Sequence, residues 1–276
     1  MAIGPKIPLG DGVEWLVDWI EANLGFVLDA ITDILGFLLD MVQGALTGLP
    51  DWAMIIVIAL VAFVISRKFI LSVLSIFALL LLSNMGLWSL AMETLSLVLV
   101  AALVCLIVGI PVGITCSRNE TFNRVVTVIL DFMQTMPAFV YLIPAVIFFG
   151  LGNVPGLVAT VIFAMPPSIR LTNLGIRQVP DELNEVADSF GSTYWQKLTK
   201  VQIPVAMPTI MAGINQVIML SLSMAVIAAM IGARGLGYLV LVGIQRVDIA
   251  LGFEAGLGIV IIAIILDRIT QSTQTE

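Results

Sequence analysis

From 90 to 115 the chain carries one charged side chain, Glu93, in an otherwise apolar run. The hydrocarbon core of a bilayer takes ~20 apolar residues per crossing helix. That stretch alone requires a membrane span. Further apolar runs at 51–66, 69–88, 125–150, 154–169, 206–231 and 250–267 bring the expectation to about seven transmembrane helices. The predicted fold class is all-α, a polytopic membrane helical bundle. Composition agrees, with 60% hydrophobic and 11% charged residues, against ~45–50% and ~25% in soluble domains. A soluble fold has too little polar surface here to cover its apolar material. Twelve basic against nineteen acidic residues, with no basic block, speak against a nucleic-acid partner. With no His and two Cys, a His-bearing zinc or haem site and a disulfide scaffold are excluded. Cys105 and Cys116 lie on one predicted helix, ~16 Å of rise apart, and cannot bridge within it.

The basic residues predict orientation. With the N-terminus outside, Arg67, Lys68, Arg118, Arg124, Arg170, Arg177, Lys197, Lys200 and Arg268 fall on the cytoplasmic side. Only Lys6, Arg234 and Arg246 remain outside. The positive-inside rule therefore predicts N-out, C-in. Residues 1–50 are expected to form a separate acidic, amphipathic, extracytoplasmic region, ahead of a transmembrane domain at 51–276. Glu14, Asp18 and Glu21 follow i, i+4, i+7 spacing and Asp29, Asp33 and Asp40 follow i, i+4, i+11, with Trp15, Trp19, Phe26 and Leu35 between them. This spacing predicts one amphipathic helix, or a pair broken near Asn23–Gly25. Such a helix suits an interfacial brace, or a dock for an extracytoplasmic partner.

Catalytic apparatus is missing from the sequence. There is no G-x-x-x-x-G-K-[ST], G-x-S-x-G or H-E-x-x-H, so the expectation is a non-enzyme with no cofactor and no metal. Among Glu93, Asp131, Glu254 and Asp267, only Asp131 is predicted well inside a span. An intramembrane carboxylate marks a candidate pathway residue. A structural bond to a neighbouring helix, or to Arg124, is the other reading. Few such groups also weaken an ion-coupled pump. Prolines within the spans and the pairs Gly109/Gly113, Gly152/Gly156 and Gly252/Gly256 predict a closely packed, movable bundle.

The segment 170–204 is the longest polar stretch after the N-terminal region. Pro180 and Asp181 predict a helix start, Gly191 a turn into a second short helix, and Pro204 the return to the membrane. Within it, "EVADSFG", nine residues and "VQIP" resemble the EAA loop of ATP-binding-cassette importer permeases, E-A-A-x3-G-x9-I-x-L-P. Glu185, Ala187, Gly191 and Pro204 match; Val186, Val201 and Ile203 are conservative departures. The blocks "DFMQTMPAFVYLIP", "GLGNVPGLVATVIFAMPPSIRLTNLGIRQVP" and "PVAMPTIMAGINQVIMLSLSMAVIA" are similar to the glycine betaine/proline, or quaternary-amine, branch. The resemblance runs from about 87 to 270.

The resemblance implies a type I importer permease core with extra N-terminal helices. It implies an ATPase-coupling loop carrying Glu185, Ala187, Gly191, Ile203 and Pro204. It also implies a separate ATP-binding-cassette ATPase, an extracytoplasmic substrate-binding protein and a second permease copy. All would work in the lipid of a bacterial cytoplasmic membrane. The cargo would be glycine betaine or a related compatible solute. Permeases for other small polar solutes such as amino acids share the loop. An ion-coupled secondary transporter or a membrane sensor would have no use for it. Phe132, Met136 and Phe139 share a face of the predicted fourth span, which reads as core packing.

Overall fold

The computed structural model describes residues 9–272, so the expected extracytoplasmic Lys6 and the last four residues lie outside it. Long helices run through the chain: α1 (Leu9–Thr47), α2 (Asp51–Ser66), α3 (Phe69–Asn84), α4 (Trp88–Arg118) and α5 (Glu120–Thr135). After a 3-10 turn at Ala138–Tyr141 come α6 (Leu142–Phe149), α7 (Asn153–Arg177), α8 (Asp181–Ser189) and α9 (Tyr194–Lys197). A π turn, Leu198–Gln202, leads into α10 (Ile203–Ala228), followed by α11 (Leu236–Arg246) and α12 (Ile249–Ser272). The described residues contain no strand.

Among the described residues four helical stretches are long and apolar enough to cross a membrane: α4, α7, the continuous run Tyr194–Ile231, and α12. Counting each bent pair, α1 with α2 and α5 with α6, as one span raises the number to six. The expectation of about seven also counts α2 and α3, apolar helices of 16 residues each, as separate spans. The 125–150 run is not one rod: α5 and α6 meet at 106°. Pro137 lacks an amide donor and holds Met136 extended, at φ −71° and ψ 136°, which ends the helix there. Phe132 and Phe139 therefore lie on different elements and form no common stripe. Residues 69–84 make a helix shorter than a typical span.

The N-terminal helix is a single piece, unbroken at Asn23–Gly25. Its last third is no detached region. Leu39 is buried, and Leu35, Leu38, Val42 and Leu46 pack into the same core as Trp88 and Leu157. Its first two thirds expose Trp15, Trp19 and Phe26 between the acids, a pattern suited to the interfacial zone of a bilayer.

The centre of the bundle is α7, which lies between α4 and α10. Lipid tails are as apolar as leucine, so burial from water cannot hold these helices together inside a membrane. Close packing must do so. Gly109 and Gly113 bring α4 against Ser168, Ile169 and Thr172 of α7. Gly213 brings α10 against Leu171 and the Pro167 carbonyl. Ser168 Oγ donates to the Cys105 carbonyl at 3.1 Å, and the Cys105 thiol to the Val161 carbonyl at 3.5 Å. Both cysteines are free and buried on α4.

At the end of the bundle opposite α8, Thr94 joins α4 to α11. Its hydroxyl accepts the Leu236 amide at 2.8 Å and donates to the Leu90 carbonyl at 3.0 Å. Thr94→Val keeps the shape but leaves a buried amide unpaired, which costs about 1–3 kcal/mol. The expected result is a thermal midpoint lower by a few degrees in detergent. An unchanged midpoint would mean that the Leu236 amide has another acceptor.

Candidate functional site

The polar loop is built as a rigid elbow. Pro180, at φ −54°, sets the first turn of α8, and Asp181 and Glu182 complement that turn's exposed amides. The helix ends where Gly191 takes φ +71°. There the Ser192 amide returns to the Ala187 carbonyl at 3.0 Å, and the Gly191 amide to the Asp188 carbonyl at 2.9 Å. Thr193 then starts α9 with a capping box. Its hydroxyl accepts the Gln196 amide, while Gln196 Oε1 accepts the Thr193 amide.

Two side-chain latches hold the elbow shut. Lys197 Nζ meets the Asp188 carboxylate at 2.7 and 2.8 Å. Gln202 Nε2 donates to Asn184 Oδ1 at 3.1 Å. The Arg118 guanidinium lies 3.5 Å from the centre of the Tyr194 ring, tying the foot of α4 to α9. Arg177 reaches from α7 to Glu120 at 2.8 Å and to the Cys116 carbonyl at 3.0 Å. The loop is thus fastened to the feet of α4, α7 and α10.

The structure separates the expected loop residues by role. Glu185 is exposed on α8. Ala187 faces its own chain, 6% exposed, so its small side chain lets α8 lie close rather than making room on the outer surface. Gly191 is exposed at the turn. Ile203 packs with Ile176, Leu198, Ala206 and Ile210 as an internal anchor. Pro204 does not mark a separate return to the membrane, because the expected second short helix runs on through the π turn into α10. Pro204 has no amide to offer the ladder, and a widened turn ahead of it accommodates that loss.

An apolar row escaped the sequence reading. Leu183, Val186 and Phe190 follow i, i+3, i+7 spacing and stand exposed, Phe190 at 87%, with Trp195 at 69% beyond the turn. That periodicity was legible. Beside α9, a hollow of about 590 Å3 opens between Tyr194, Trp195 and the foot of α4 at Pro111 and Ile114. The elbow thus presents exposed aromatic and aliphatic side chains on a rigid, latched frame.

Asp131 is placed differently from expectation. It sits on the amphipathic α5, 58% exposed, and pairs with Arg170 of α7 at 2.5 Å. Arg124 turns to Glu120 instead. Of the two readings, the structural bond to a neighbouring helix is realised. Among the described residues no three His, Cys, Asp or Glu side chains gather as a metal site.

The fold and the elbow define a class: an all-α, membrane-spanning permease with a polar helical elbow at one end. Residues 109–274 match the family described as binding-protein-dependent transport system inner membrane component. The glycine betaine/carnitine transport permease GbuB of Listeria monocytogenes is 52% identical over 97% of this chain and 96% of its own length. The glycine betaine permease OpuAB of Bacillus subtilis is 49% identical over 99% and 96%, and ProW of Escherichia coli 49% over 96% and 75%. A solved inward-facing methionine transporter, MetNI, superposes with a TM-score of 0.57 at 22% identity, over 66% of this chain and 93% of that one. That likeness shows the type I importer permease fold. The chain belongs to the family of binding-protein-dependent inner-membrane transport components, as a multi-pass cytoplasmic-membrane permease.

Proposed function

We propose that the chain forms the translocation pathway of an ATP-driven importer for glycine betaine or a related quaternary-amine solute. The observation that carries this reading is about half identity to three permeases named for glycine betaine, over nearly the whole chain. A separate ATPase docks on α8 and α9, an extracytoplasmic binding protein delivers the solute, and a second copy completes the pathway. Glu185, with Leu183, Val186, Phe190 and Trp195, forms the contact. Gly191 and Ala187 shape the elbow behind it, and Ile203 and Pro204 join it to α10. Because α9, the π turn and α10 are one continuous helical run, a displacement of the elbow passes directly along α10 and, through Gly213, to α7. ATP-driven closure at the elbow thereby biases the bundle between inward- and outward-facing states.

Vesicles containing only this chain are expected to take up no glycine betaine. Adding the ATPase and binding protein encoded with it should give uptake that requires ATP. Uptake driven by an ion gradient in the chain alone would overturn the reading and make the protein a secondary transporter.

The end bearing α8 faces the cytoplasm and the N-terminus lies outside. Nine of the twelve basic residues on the cytoplasmic side support this orientation. Single cysteines at Ala30 and Val247 should react with an impermeant thiol reagent on intact cells, and one at Phe190 only after permeabilisation. Labelling of Phe190→Cys in intact cells would reverse the topology.

A further inference from the structure

On the flank of the bundle, between α3 and α12, lies an open hollow of about 1190 Å3. Its walls are apolar, with Phe69 and Leu74 from α3 and Ile261 and Ile264 from α12. Phe69, Leu74 and Ile264 are each more than half exposed along it. Its rim is not apolar: Lys68, just before α3, and Arg268, near the end of α12, both line the same hollow and both are exposed. Neither pairs with a carboxylate among the described residues. Two cations at one end of an apolar trough on a membrane-spanning helix pair match the two halves of one kind of molecule.

We propose that this groove is a binding site for an anionic phospholipid. The phosphodiester sits between Lys68 and Arg268, and an acyl chain runs along the isoleucine face of α12. A small polar solute would leave the walls unsatisfied, and the hollow exceeds the ~300–1,000 Å3 usual for small-molecule pockets. A purely apolar occupant would leave two cations without an anion at the edge of the hydrocarbon. Basic pockets between transmembrane helices on the cation-rich side suit anionic headgroups. The lipid would bridge α3 and α12 along their open flank. The site is independent of the transported solute and of ATPase docking.

The test uses the full chain in detergent, with native mass spectrometry after adding phosphatidylglycerol or phosphatidylcholine. The wild type is expected to retain phosphatidylglycerol about tenfold more strongly, from two cations acting on one headgroup. Lys68→Gln/Arg268→Gln should remove that preference, and Ile264→Trp, which fills the trough, should reduce retention of both lipids. Lys68→Arg should keep the preference. Should the double variant fail to fold, Lys68→Gln alone, on an exposed turn, must still weaken phosphatidylglycerol retention severalfold. Equal retention of the two lipids by the wild type, or an unaffected Lys68→Gln, overturns the site. Oxidative cross-linking of Ile264→Cys to a second chain would assign the groove to a contact between copies and overturn it as well.

Discussion

A Gly191→Val chain is expected to insert and pack like the wild type, yet to lose most of its coupled uptake. Gly191 holds φ +71°, and a Cβ there would meet nothing within 4 Å. The defect is therefore conformational rather than steric crowding. A β-branched residue in the left-handed region is strained, by about 1–3 kcal/mol. The backbone relieves that strain by leaving the region, which swings α8 away from the Thr193 cap. The Lys197–Asp188 latch opens, and Phe190 and Trp195 no longer present one surface. Losing interface anchors of this kind weakens association by roughly tenfold or more. The measurement is co-purification of the ATPase together with solute uptake per ATP hydrolysed. Gly191→Asn, which tolerates the left-handed region, should behave nearly as the wild type. Because the loop is exposed, the thermal midpoint of the permease should barely move. Normal complex yield and normal uptake from Gly191→Val would make the elbow a plain surface loop.

Gly113→Val should do the opposite and damage the bundle itself. A Cβ at this position would stand 2.7 Å from the Ile169 carbonyl oxygen and 2.7 Å from Thr172 Cβ. The oxygen belongs to a packed helix and cannot step aside. The helices α4 and α7 must separate, and Gly109 then loses its seat on Ser168. Overpacking of this kind costs about 1–3 kcal/mol or more, and valine's two methyl groups place it at the upper end. The expected reading is a thermal midpoint lower by roughly 10 °C, or a loss of folded protein in detergent. Gly256→Ala is the control, because a Cβ there meets nothing within 4 Å. A Gly113→Val chain with wild-type stability would refute the α4–α7 contact.

The comparison of these two glycines shows where local reading stops. Gly109/Gly113, Gly152/Gly156 and Gly252/Gly256 have the same spacing in the sequence. Only in the first pair do both glycines press against a single partner helix. In the last, Gly252 approaches Gly243 across the α11–α12 turn, while Gly256 faces open space. Spacing says that a close contact is possible, and a second helix must arrive to make it one. Proline behaves in the same way. Pro111, Pro166 and Pro167 lie inside unbroken α4 and α7, whereas Pro137 ends α5.

What the sequence determined by itself is whatever depends on the solvent and on near neighbours. Apolar length settled the membrane class, since a backbone in hydrocarbon must close its own hydrogen bonds as helix. Pro180, Gly191 and Thr193 wrote the elbow through φ preferences and a cap that acts within three residues. The α8 row of Leu183, Val186 and Phe190 was likewise written in its period. The tertiary structure decided the rest. It gave Asp131 to Arg170, 39 residues away, rather than to Arg124 on its own helix, and merged α9 with α10. It also drew the last third of α1 into the core. The physical reason is common to all three. A local preference amounts to about a kilocalorie per residue, while contacts between helices distant in sequence sum over many side chains and exist only once the bundle has assembled.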